Sequence, residues 1–215
     1  MITISKEDYL KAIHEAEGEG QNVISATLAH WLSVSAPAVT MALKRLKKDG
    51  FVSVRADGRV QLTPKGRQIA QRTVFRHHLV ERMLSETFGM EWYKVHDEAE
   101  RLEHAVSPDF EKKLVEKLGR GGKCPHGNVL IPESPAARRK HGLTQLAAAE
   151  EGKSYTVASV YERDRKLLEF LDRHHIRPGS RLTLAARNYD QTVTLKIKDR
   201  LFTLGGAAAE KIWVS

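Results

Sequence analysis

The sequence predicts a mainly α chain with a small β-barrel, and three observations carry that prediction. The first third has short helical patterns followed by one hairpin signal, the middle carries successive amphipathic helical stretches rich in His and Glu, and short alternating strands follow Leu143. The length of 215 residues and the 41% hydrophobic share suit a globular protein of more than one domain. The expected divisions are 1–73, a winged helix-turn-helix; 74–142, helical with a linker; and 143–215, the barrel.

Ser5 is the expected cap of a first helix carrying Tyr9, Leu10, Ile13 and Ala16 at helical spacing and ending at Gly18-Glu19-Gly20. Asp8 falls in its first turn, where a negative charge suits a helix N-terminus. Ser25 is the expected cap of a second helix with Leu28, Ala29 and Leu32 inward, and a third follows from about Ala36 to Asp49. Val39, Leu43 and Leu46 form the buried stripe of that third helix. Ser35, Pro37, Ala38, Thr40 and Met41 lie at its leading end, where short side chains allow close approach to base edges. Lys44, Arg45, Lys47 and Lys48 crowd its later turns and suit phosphates. Two short strands flank Asp57-Gly58, with Arg55 and Arg59 at the turn, so a wing follows the helix-turn-helix.

Thr63 and Pro64 open a long helix expected to run to Phe88, with His77 and Glu81 four residues apart. In the stretch His96 to His104, a helix of 3.6 residues per turn stacks His96, Glu100, Glu103 and His104 along one side. Imidazoles and carboxylates so arranged can hold a divalent metal; the competing reading is a solvated helix face. Ser107-Pro108 starts another helix with Phe110, Leu114 and Leu118. These helices bury little alone, which suits pairing with a second copy. The segment Gly119 to Gly127 breaks the pattern, and a linker extends to about Gly142. Strands are expected at 155–160, 181–184, 192–197, 201–204 and 211–214, with a short helix from Arg165 to His174.

The formal net charge of +8 points to a polyanionic partner, nucleic acid before others. The single cysteine, Cys124, excludes an internal disulfide and a thiolate cluster, so a metal site must rely on His, Asp and Glu. No apolar run approaches the ~20 residues that span a bilayer, and the N-terminus turns polar at once, so a cytoplasmic protein without membrane contact is expected. Nucleotide-binding and hydrolase motifs are missing and the expectation is a non-enzyme. A carboxylate-bridged metalloenzyme is the rival, but it would want Glu-x-x-His on paired helices, and residue 101 is Arg.

Glu7-Asp8-Tyr9-Leu10, Ser35-Ala-Pro-Ala-Val-Thr40, Arg76-His77-His78-Leu-Val-Glu81, the stretch Val95 to His104, Cys124-Pro-His-Gly-Asn128 and Ile176-Arg-Pro-Gly179 together resemble the diphtheria toxin repressor family of metal-dependent transcriptional regulators over essentially the whole chain. The resemblance implies a homodimer that binds a palindromic DNA operator when a divalent cation is present and represses metal-uptake genes. It also implies a C-terminal domain that is SH3-like, of the ferrous transport protein A type. It maps a primary metal site onto Asp8, Glu100, Glu103 and His104 with His77 close by, and an ancillary site onto His77, Glu81 and His96. An acid from the barrel would complete the second, Asp164 being preferred over Glu162.

Carboxylates at Asp8 and Glu100, where the iron-responsive branch has Met and Cys, resemble the manganese-responsive branch. Mn(II) is therefore the expected cofactor, with Fe(II) as the alternative. Lys11 departs from the two-domain manganese regulators, which place a ligating Glu there; a cation cannot ligate, and separated sites are expected instead. Cys124 and His126 look like ligands in Cys-Pro-His-Gly, but in the resemblance that segment reads as a turn; His78 points to another helix side and reads as packing or surface, and His174-His175 as a favourable charge at a helix end and not as ligands. A metal-independent winged-helix regulator is a further alternative.

Overall fold

Apolar residues recurring every third or fourth position bury one stripe of each early helix, and the N-terminal core follows from that spacing. The computed structural model describes residues 3–129 and 132–215. Its contacts define two units. The first takes the residues up to Val80, Leu102–Arg120 and a stretch ending at Pro135; the second takes Glu81–Arg101, Gly121–Val129 and Ala136–Ser215. Leu130 and Ile131 of the expected linker lie outside the described residues.

In the first unit α1 (Ile4–Gly18), α2 (Ser25–Trp31) and α3 (Ala36–Lys48) precede an antiparallel hairpin of β1 (Val52–Val54) and β2 (Val60–Leu62). Leu10, Ile13, Leu28, Val39, Leu46, Val52 and Val60 share its core. Two expected caps are corrected. Thr3 and Ile24 take the N-cap positions of α1 and α2 without side-chain bonds, so Ser5 and Ser25 lie inside the helices. Ser35 does cap α3, its Oγ accepting from the Ala38 N–H at 3.4 Å.

Thr63 caps α4 (Pro64–Arg82), accepting from the Gly66 N–H at 3.1 Å, and Pro64 supplies a first residue that needs no partner for an N–H. At Gly66 a Cβ would stand 2.0 Å from the Phe51 carbonyl oxygen, so only glycine lets the chain pass. The long helix does not reach Phe88 as regular α-helix, because Met83–Thr87 form a π-helical turn. Likewise α5 (Val95–Leu102) stops short of His104, and Glu103–Ala105 tighten into a 3-10 turn. The continuous α-helix expected from His96 to His104 therefore ends at Leu102. Ser107 caps α6 (Pro108–Leu118), accepting from the Phe110 N–H at 3.2 Å.

The second unit adds α7 (Pro135–Lys140), which gives helical form to part of the expected linker, and then β3 (Thr144–Gln145), β4 (Ser154–Val160), α8 (Arg165–Arg173), β5 (Arg181–Arg187), β6 (Val193–Ile197), β7 (Arg200–Leu204), α9 (Gly206–Ala209) and β8 (Ile212–Val214). The sheet is antiparallel in the order β3-β8-β4-β5-β6-β7. Register shifts between Val157 and Ser159 and between Leu184 and Ala186 bend β4 and β5. Among the described residues no pairing joins β7 to β3, so this small SH3-like domain is an open sheet. Leu168 and Leu171 of α8 share a core with Val157, Leu182, Leu184, Leu195 and Ile212.

Candidate metal centre

Helix α1 sets Glu7 and Asp8 side by side in its opening turns, and the 3-10 turn after α5 brings Glu103 and His104 to the same unit. His104 Nε2 lies 2.8 Å from Asp8 Oδ1 and 3.4 Å from Glu103 Oε1, while its Nδ1 lies 2.9 Å from Glu7 Oε2. One ligand atom from each of Asp8, Glu103 and His104 falls within 4.8 Å of the other two. Two carboxylates and an imidazole so converged are a donor set for a hard to borderline divalent ion, so the residues present fit a metal.

On the other side of Glu103 stands a built-in cation. Lys11 Nζ donates to Glu103 Oε2 at 2.6 Å, and their side chains are 2% and 0% exposed. His77 Nδ1 is 2.6 Å from the same oxygen and 3.0 Å from Lys11 Nζ. Two nitrogens thus crowd Glu103 Oε2, and the other oxygen, Oε1, faces His104 Nε2.

In the second unit the turn Cys124 to Gly127 closes with a Gly127 N–H to Cys124 carbonyl bond of 2.8 Å. It is also more than a turn. His126 is fully buried, with Nδ1 3.2 Å from Glu81 Oε1 and 3.6 Å from Glu162 Oε2, while its Nε2 faces the Trp92 carbonyl at 3.2 Å. His96 Nδ1 approaches the same Glu81 oxygen at 3.4 Å, and His96 Nε2 lies 3.5 Å from Glu100 Oε1. Cys124 Sγ donates to Glu162 Oε2 at 3.3 Å, and Asn128 Nδ2 donates there at 2.6 Å. Burial, with the charges of Glu162 and Glu81, pushes the Cys124 thiol pKa well up. Burial alone would lower the His126 pKa, but those two carboxylates outweigh it and the net shift is upward.

Of the two barrel acids, the structure brings Glu162 to this cluster and sets Asp164 elsewhere. Asp164 caps α8, accepting from the Leu167 N–H at 3.0 Å, and pairs with Lys211 at 2.7 Å; against the effect of burial these hold its carboxyl below the usual range. Glu100 belongs to the second unit, where Arg163 also approaches it at 3.7 Å. His78 is buried, and His174 stacks on Phe202 with centroids 4.8 Å apart. Sequence reasoning missed Glu7 and set His126 aside as part of a turn. The signal for Glu7 was a second acid beside Asp8; for His126 it was a histidine in a turn too apolar to be only surface.

The first unit also carries a basic face. Ser35, Pro37, Ala38, Thr40, Met41, Lys44, Arg45 and Lys48 are all exposed on α3 or at its start, opposite the buried Val39, Leu43 and Leu46. Arg55 and Arg59 are exposed at the hairpin turn, where Asp57 Oδ2 braces Arg59 Nε at 3.3 Å. Lys6 of α1 pairs with Asp49, the C-cap of α3, at 2.6 Å.

Family models match in succession along the chain. Residues 1–60 match the iron dependent repressor N-terminal DNA binding domain, 63–132 the iron dependent repressor metal binding and dimerisation domain, and 144–215 the FeoA domain. The chain is 40% identical over 124 residues to the diphtheria toxin repressor of Corynebacterium diphtheriae, covering 58% of this chain and 55% of that protein. It thus spans about half the length of that curated relative. With the iron-dependent repressor IdeR of Mycobacterium leprae it shares 33% identity over 159 residues, 70% of this chain and 68% of that protein. The solved structure of a manganese-dependent transcriptional repressor in complex with manganese superposes with a TM-score of 0.86 at 34% identity, covering 97% of this chain and 98% of that one.

A DNA-binding domain, a metal-binding dimerisation domain and an FeoA domain in this order define a three-domain metal-responsive architecture. The chain belongs to the diphtheria toxin repressor family of metal-dependent transcriptional regulators.

Proposed function

We propose that this protein is a cytoplasmic, Mn(II)-dependent DNA-binding repressor of metal-ion uptake genes, acting as a homodimer on a palindromic operator. The observation that carries the reading is the meeting of Asp8 with Glu103 and His104, because Asp8 sits on a helix of the DNA-reading unit. A divalent ion held by Asp8, Glu103 and His104 would supply positive charge between the two carboxylates. Asp8 then anchors α1 to the turn carrying Glu103 and His104, and through Lys6 and Asp49 the same helix touches the end of α3. Α3 lies in the major groove, Arg55 and Arg59 meet flanking phosphates, and metal and operator affinity rise together by linkage.

Manganese is preferred because Asp8, Glu103, His104 and Glu100 offer no sulfur, and hard oxygen donors with imidazole suit Mn(II). A second centre is supported by Glu81, His96, His126 and Glu162, with Cys124 as a thiol that a metal must deprotonate. Lys11 keeps the Asp8 centre to one ion. Fe(II) is the second reading, favoured by the iron-dependent naming of curated relatives such as IdeR.

Operator binding measured with Mn(II), Fe(II) or chelator, alongside metal analysis of the protein, tests this. Mn(II) is expected to tighten binding most and chelator to abolish it; a chelator-insensitive complex would sink the metal-dependent reading.

A further inference from the structure

We infer that Glu7 is a positioning residue of the Asp8, Glu103 and His104 centre. Its carboxylate holds the His104 proton on Nδ1 and so leaves Nε2 as the ligand atom. The inference rests on the metal-centre reading above.

Three carboxylates surround the His104 ring and divide unequally between its nitrogens. Among the described residues, Asp8 Oδ1 at 2.8 Å and Glu103 Oε1 at 3.4 Å converge on Nε2, whereas Glu7 Oε2 stands at Nδ1, 2.9 Å away. A neutral imidazole offers one N–H and one lone pair, so the side with two further oxygen donors suits a cation and the side with one suits the proton. A ligating histidine commonly donates its other N–H to a carboxylate, which fixes tautomer and ring orientation and raises ligand basicity.

The helix explains how adjacent residues take opposite roles. Neighbouring side chains on α1 diverge by about 100°, so Glu7 and Asp8 reach the two edges of one ring. The contact is shielded, with the side chains of His104 and Glu7 only 10% and 17% exposed, so water competes weakly for Nδ1.

The test uses full-length Glu7→Leu, Glu7→Gln and Asp8→Ala. Mn(II) affinity is read by competition with a fluorescent chelator, the thermal midpoint is taken on metal-free protein, and ring nitrogen-15 shifts of His104 are recorded in the Zn(II)-loaded state. Glu7→Leu is expected to weaken the ion lost in Asp8→Ala by about 10- to 100-fold without lowering the metal-free midpoint. Glu7→Gln, whose amide oxygen still accepts from Nδ1–H, keeps the tautomer and recovers part of the affinity. The nitrogen shifts should report metal on Nε2 and a proton on Nδ1.

Wild-type affinity in Glu7→Leu beside a loss in Asp8→Ala overturns the role of Glu7 and leaves the centre standing. Unchanged binding in all three variants overturns the centre and this inference with it. Metal on Nδ1, or a Glu7→Gln loss as deep as that of Asp8→Ala, makes Glu7 a ligand and refutes the positioning role.

Discussion

The Lys11 side chain is 2% exposed, and its ion-pair partner Glu103 is 92 residues away in the chain. Removing one member of a buried pair leaves the other uncompensated, at a cost of roughly 3–5 kcal/mol. Lys11→Met is expected to destabilise the metal-free protein by that order in urea unfolding. Lys11→Glu adds a third acid beside Glu103, and the expected result is a protein unstable alone that regains stability with Mn(II) and takes one more ion per subunit; metal analysis finding no extra ion would refute the single-ion reading. His14, on the same helix, gives a pH dependence. Burial first, and then the charge of Arg67, lower its pKa from 6.5 to about 4. As pH falls below 6.5 the unfolded chain takes up a proton that the folded chain refuses. Stability is thus whole at neutral pH and is lost between 6.5 and about 4, by roughly 3 kcal/mol at most. His14→Gln should flatten that part of the urea-midpoint profile, and an unchanged slope would count against it. Glu103 and His104 were legible because acids and imidazoles stood at helical spacing, whereas Asp8 read only as a first-turn charge and entered the site through the family resemblance. Glu7 was not, because an acid in a first turn equally suits the helix dipole, and His126 was not, because its neighbours Glu81 and Glu162 are distant in sequence.

At the scale of elements, α3 and the hairpin were read from Ser35, the Val39, Leu43 and Leu46 stripe, and Asp57-Gly58, all local signals. The π-turn at Met83–Thr87 and the 3-10 turn at Glu103–Ala105 were hidden, since apolar periodicity continues through both and only packing tells α, π and 3-10 apart. That limit mattered for the site, as a tighter turn, and not a continuing α-helix, carries Glu103 and His104. The wing yields a separable prediction. Arg55→Ala and Arg59→Ala should weaken DNA binding across sequences and each reduce the slope of log affinity against log salt by about 0.9. A loss confined to one operator sequence would instead assign these arginines to base reading. Asp57 braces Arg59, so Asp57→Ala is expected to loosen the same contact without removing a positive charge.

For the whole molecule, the net charge of +8 and three successive segment types are enough to outline a DNA-directed, multi-domain chain from sequence. The strands were legible through their alternation, whereas closure was not, because two-residue β3 carries no pattern and the bends in β4 and β5 come from register shifts. Metal choice is also a property of the whole set of donors. Asp8→Met with Glu100→Cys should shift the response from Mn(II) toward Fe(II), and an unchanged ranking of the two ions in operator binding would reject hardness as its cause. The open sheet has one more consequence. Strand edges invite pairing with other chains, and a repressor that gathers as copies along one operator would be exposed to such exchange. Here one edge, β3, is only two residues long, and the other, β7, opens on Arg200 directly after Lys198 and Asp199, so charged side chains mark its start. The domain thus stays unclosed without becoming adhesive.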